Sequence, residues 1–191
     1  GAGIGGLTLG LMLHRAGIAC RVFEAAPELK AVGVGINILP HASRELCALG
    51  LEDALAKVAV TTREYCFYNR FGQHIHSEPA GRFAGYDVPQ FSIHRGDLQM
   101  VLLDAFIARA GADKVMTGWR CTKVEYDGAE AIAHFEDVNQ TDVLAAVVID
   151  VHFFGAPALI GRVALRVGGK GRDLQEIERH AIRARHRENS A

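Results

Sequence analysis

Four glycines open the chain in the stretch GAGIGG, and three of them, Gly1, Gly3 and Gly6, set a pattern. Their G-x-G-x-x-G spacing suits a pyrophosphate. The first glycine permits a tight turn, the second lets backbone approach the phosphates, and the third lets a following helix pack closely. The amides at the start of that helix then face the anion with the positive end of the helix dipole. Gly5 lies in the same turn and joins the candidate set. Glycine makes up 21 of the 191 residues, so the spacing alone says little. Its context says more: an apolar helical stretch follows, then a strand ending in Glu24, 18 residues beyond Gly6. An acid at about that offset accepts hydrogen bonds from a ribose diol. The competing reading is a glycine-rich capping turn and a surface glutamate.

Other residues of chemical type are less well supported. His74 and His76 share one face of a strand, an arrangement that suits a metal. No third ligand joins them, and no metal is expected. Ser43 has no evident base, so nucleophilic catalysis has no support. Cys20, Cys47, Cys66 and Cys121 form no CxxC pair and read as reduced thiols of a cytoplasmic protein. Tyr65, Phe67 and Phe71 could line an aromatic pocket, but packing within a sheet accounts for them more simply.

These residues need elements to position them. Residues 3–17 read as an apolar helix that Gly17 stops. IACRVFE (18–24) reads as a strand, and HASRELCALGL (41–51) as an amphipathic helix after Pro40. Residues 61–79 read as strand, turn and strand about Asn69 and Gly72. Residues 95–111 form a second long helix, with Leu98, Val101, Leu102, Ala105 and Phe106 on its apolar side and Gly111 at its end. Residues 119–137 make a hairpin turning at Asp127 and Gly128. The apolar run 142–150 reads as a buried parallel strand. This order points to an α/β nucleotide-binding domain with pieces of a second, sheet-based layer.

The formal net charge of −1 gives no broad field for nucleic acid or an anionic membrane. The basic residues after residue 160 are mixed with acids and read as a solvated helix. No apolar run reaches the length of a membrane helix and no signal peptide is visible.

The segments RVFEAAPELKAVGVGINILPHASRELCALGL and PQFSIHRGDLQMVLLDA, with the opening helix, resemble the class A FAD-dependent aromatic hydroxylases. Within that family the likeness is to the phenazine-carboxylate monooxygenase branch, related to salicylate hydroxylases, and it covers roughly residues 1–150. The resemblance implies a Rossmann-like FAD-binding fold of the GR2 type, truncated, with β insertions at about 61–92 and the hairpin at 119–137. It implies an oxidoreductase that uses FAD, NADH or NADPH, and O2 to hydroxylate a small, carboxylate-bearing aromatic substrate. Gly1, Gly3, Gly5 and Gly6 would hold the FAD pyrophosphate and Glu24 the adenosine ribose. Arg95 would reach the phosphate and ribose region, with a surface ion pair to Asp97 or another acid as its alternative. The loop containing Gly33, Gly35 and Ile36 would pass near the flavin ring. No side chain is named as a catalytic acid or base. The opposing readings are an inactive remnant or weak nucleotide-binding module, and an NAD-binding Rossmann protein.

The sequence departs from the family at both ends. No strand precedes Gly1, which reads as a partial sequence. After VVID the family's Gly-Asp-Gly element is absent, with Asp150 and His152 read as its remains, and residues 151–191 carry no likeness. The expectation is therefore that these 191 residues alone neither retain FAD stoichiometrically nor hydroxylate.

Overall fold

A computed structural model describes residues 1–127, 130–138, 143–150 and 162–169. The chain divides into two compact units that interleave along the sequence.

One unit comprises Ala2–Ala16 and Lys30–Ala112. It opens with helix α1 (Ile4–Arg15), and the chain reverses just beyond, where Gly17 takes a left-handed φ of +75°. That is the conformation only glycine adopts cheaply after a helix end. Strand β2 (Gly35–Ile38) leads into α2 (Pro40–Ala48), whose proline occupies the first turn and needs no amide partner there. Helix α3 (Glu52–Val58) and the short strand β3 (Val60–Thr61) follow. The hairpin β4 (Glu64–Tyr68) and β5 (His74–Pro79) stands as a separate two-stranded sheet. Its turn is held by Asn69, whose side-chain oxygen accepts from the amides of Phe71 and Gln73. Strand β6 (Phe91–His94) lies between β2 and β3, antiparallel to both, and runs directly into α4 (Arg95–Ala110).

The core of this unit lies between helices. Leu7 and Leu11 of α1 are fully buried, as are Leu102 and Phe106 of α4. A Cβ built on Gly10 would lie 2.8 Å from the Phe106 ring, so glycine sets how closely the two helices approach. Elsewhere in the unit Arg82 donates to both carboxylate oxygens of Glu52, at 2.6 and 3.0 Å. That pairing holds the Glu52 carboxyl below its ordinary range. Burial, with a hydrogen bond to Glu52, pushes the nearby Cys47 thiol up.

The other unit holds Gly1, Gly17–Leu29 and the described residues from Asp113 onward. Strand β1 (Val22–Glu24) pairs in parallel with β7 (Val115–Thr117), Val22 opposite Val115. A four-stranded antiparallel sheet orders β8 (Trp119–Asp127), β9 (Glu130–Asp137), β10 (Val143–Asp150) and β11 (Arg162–Gly169). Phe23 stacks on Phe135 with ring centroids 4.3 Å apart, and Met116 and Trp119 pack around this pair.

Several expectations are corrected. The strand expected over 18–24 begins only at Val22. The run at 142–150 is a strand, but β10 is antiparallel to both β9 and β11. An apolar run reports burial and extension, not the direction of its partners. Helix α3 and strands β2, β3, β6 and β7 are additions, each too short to show a period, and where a solvated helix was expected after residue 160, Arg162–Gly169 form strand β11, whose partner β10 decides it. Gly128, His152 and most of the 151–191 tail lie outside the described residues.

Candidate functional site

The glycine turn feeds α1 directly. Gly3 is the residue before the helix, with φ −71° and ψ 175°, and its carbonyl accepts the first helical bond, from the Leu7 amide at 3.0 Å. The amides of Ile4, Gly5 and Gly6 therefore have no acceptor inside the helix. Among the described residues, neither Gly3 nor Gly5 has a positive φ, and a Cβ on either would meet no other described atom within 4 Å. Backbone strain and internal packing thus give no reason for glycine at these two positions. Gly6 is half-buried within α1. Ala2, just before the turn, is fully buried, and its carbonyl accepts from the Gln99 side-chain amide at 2.8 Å.

In the other unit, Glu24 ends β1. Its Oε1 accepts from the Ala26 amide at 2.9 Å, which orients the carboxylate. A Cβ on Gly1 would lie 3.5 Å from Oε2, so Gly1 and Glu24 are neighbours there.

Gly33 and Arg95 also come together. Gly33 has φ +136°, and its Cβ would lie 3.0 Å from the Arg95 Cβ, so glycine is required twice over. The loop before β2 lies across the start of α4. Arg95 donates its amide to the Val34 carbonyl at 2.9 Å, and a Cβ on Gly96 would approach the Ala31 carbonyl carbon to 2.5 Å. His94 completes the contact, its Nε2 2.9 Å from the Gly33 carbonyl oxygen. Gly35 and Ile36, expected in a loop, belong to β2 instead, opposite His94 and Ile93. A four-residue strand amid glycines gives no alternation to read.

Arg95 is exposed at the first position of α4, and among the described residues its guanidinium has no ion-pair partner. The expected alternative, a pair with Asp97, does not form; Asp97 lies 4.0 Å from His94 instead. An unpaired cation at a helix N-terminus favours an anion twice, by its own charge and by the dipole.

The weaker candidates fall elsewhere. His74 bonds Ser77 at 2.7 Å and His76 stacks on Phe67. Among the described residues no group of three metal-ligating side chains occurs. Phe67 and Phe71 stand exposed rather than packed, while Tyr65 accepts a hydrogen bond from the buried Gln90. Gln99, Gly96 and His94 had no role in the sequence reading. Gln99 alone left a signal, as the polar member of an apolar helix face.

No family profile matches the chain. The chain is 45% identical over 138 residues to the phenazine 1,6-dicarboxylic acid hydroxylase of Lysobacter antibioticus, across 72% of this chain and 34% of that protein. It is 35% identical over 173 residues to the 3-amino-4-hydroxybenzoate 2-monooxygenase of Streptomyces cremeus, across 87% of this chain and 41% of that protein. The chain belongs to the FAD-dependent aromatic hydroxylase family. Among solved structures, this hydroxylase-family chain is similar to HpxO of Klebsiella pneumoniae in complex with FAD and uric acid. The TM-score is 0.59 and the identity 28%, over 72% of this chain and 34% of that one. The chain thus spans roughly a third to two fifths of the length of the curated relatives it matches. Among the described residues no helix is long and apolar enough to cross a membrane.

Proposed function

We propose that this chain supplies the FAD-holding part of an aromatic hydroxylase that uses NADH or NADPH together with O2. One observation carries the reading. Gly3 and Gly5 stand at a helix start with ordinary backbone angles and open space where a side chain would be. The fold does not ask for glycine there, and a group lying against the backbone would. The free first-turn amides suit an anion.

On this reading Gly1, Gly3, Gly5 and Gly6 receive the pyrophosphate and Glu24 the adenosine ribose. Arg95 neutralises phosphate charge, and Gly33, Gly35 and Ile36 border the flavin ring. Residues 1–150 make up the cofactor-holding part. Bound FAD would supply the redox chemistry, accepting hydride and activating O2 for transfer to an electron-rich ring. This chain's residues bind and orient the cofactor, and no catalytic acid or base is assigned among them. The names of the relatives favour a small aromatic substrate bearing a carboxylate. A cytoplasmic location suits the reading, since all four cysteines are free thiols.

Titration of the purified 191-residue chain with excess FAD, followed by flavin fluorescence, tests the proposal. Weak but saturable quenching that ADP reverses is expected, too weak for FAD to stay bound through purification. No saturation, or binding that ADP leaves untouched, would overturn it.

A further inference from the structure

Gln99 is the polar exception on an apolar face. Positions 99, 102, 103 and 106 share one side of α4 by their spacing. Leu102, Leu103 and Phe106 are buried there, and Gln99 is buried with them at 9% exposure. Its side-chain amide donates to the carbonyl of Ala2 at 2.8 Å, a buried hydrogen bond. Two turns further along, Phe106 closes on Gly10. Gln99 meets residue 2 and Phe106 meets residue 10, so the two helices run parallel and touch at two fixed points. The lower point is apolar and sets their spacing. The upper point acts on the glycine turn itself.

The Ala2 carbonyl and the Gly3 amide belong to one planar peptide unit and point in opposite directions. A donor that holds the carbonyl inward therefore holds the Gly3 N–H outward. That N–H belongs to Gly3, where an added Cβ would meet no other described atom within 4 Å. We propose that Gln99 is a positioning residue: by gripping the Ala2 carbonyl it sets the Ala2–Gly3 peptide plane and aims the Gly3 amide at the pyrophosphate of a bound dinucleotide. The inference rests on the FAD reading above for its ligand, but the grip on the turn stands apart from it. Gln99 touches no cofactor atom on this account; it acts only through the backbone of the turn.

Two variants separate positioning from general packing. Gln99→Leu fills the same space without a donor. Gln99→Glu has a donor only while its carboxyl is protonated. Binding is read as ADP affinity, and order in the turn as amide hydrogen exchange of peptides spanning residues 2–6 against those spanning 98–106. With Gln99→Leu, ADP affinity should fall at least tenfold, with faster exchange confined to residues 2–6. With Gln99→Glu, the affinity ratio to the parent should approach one near pH 5 and worsen toward pH 8; this variant also decides the matter if Gln99→Leu does not fold. Unchanged ADP affinity in both variants, or exchange that accelerates equally through both helices, would overturn the proposal. If the parent itself binds no ADP, the FAD reading fails. The exchange data then decide the grip alone: acceleration limited to residues 2–6 supports it, and any other pattern overturns it.

Discussion

Replacing Gly3 with alanine should separate folding from binding. Gly3 has φ −71° and ψ 175°, angles that alanine adopts without strain, and a Cβ there meets nothing within 4 Å. Two small terms act on the fold. Alanine is a poorer residue than glycine before a helix, by roughly 0.5–1 kcal/mol. It also restricts the unfolded chain, which returns about 0.4–1 kcal/mol. The net change in stability should thus stay within about 1 kcal/mol, read as the urea midpoint at constant slope. Binding has no such cancellation. If pyrophosphate lies against this backbone, the added methyl group overpacks the contact at about 1–3 kcal/mol. At 1.4 kcal/mol per decade that is roughly a 5- to 150-fold loss of ADP affinity. The assay is ADP displacement of FAD fluorescence quenching, run beside the urea series. Unaltered ADP affinity in a stable variant would refute the argument that a ligand explains this glycine.

The remaining predictions concern the supporting structure. Gly96→Ala should destabilise by about 1–3 kcal/mol, because its Cβ meets the backbone of Ala31 and Val32 at 2.5–2.7 Å rather than a movable side chain; an unchanged urea midpoint would mean the loop lifts away freely. Arg95→Ala should weaken FAD binding at low salt, with the defect shrinking as ionic strength rises and screens the contact in the parent; a salt-independent defect would point to folding instead. Glu52 has its folded pKa depressed by Arg82, so the pair's contribution is present above the ordinary carboxyl range and is lost as pH falls through the lower folded value. Arg82→Ala should therefore flatten the acid side of the stability–pH curve, and an identical acid slope in urea midpoints would contradict that assignment.

What could be read from the sequence follows from where the chain marks its own breaks. Helices α1 and α4 end at Gly17 and Gly111, both at positive φ, and such glycines are visible as residue types. The hairpin at 64–79 was legible through Asn69, whose side chain ties the turn. The element ends at Glu24, closing β1, and at Arg95, opening α4, were legible, whereas a role for Arg95 came only from the family resemblance. Strands β2, β6 and β7 were not, since three or four residues hold no period. The direction of β10 was not either, because its neighbours decide it. Gln99 showed as a polar residue on an apolar face, but its role stayed hidden: its partner is a backbone carbonyl 97 residues away, and a carbonyl leaves no trace in the residue types.

The central claim is that the backbone of the glycine turn receives a pyrophosphate. Amide resonances of the isotopically labelled chain, followed during titration with ADP and separately with AMP, test it directly. Saturable shifts are expected at Gly3, Ile4, Gly5 and Gly6, larger with ADP than with AMP. Saturable binding that leaves those four amides unmoved would contradict it.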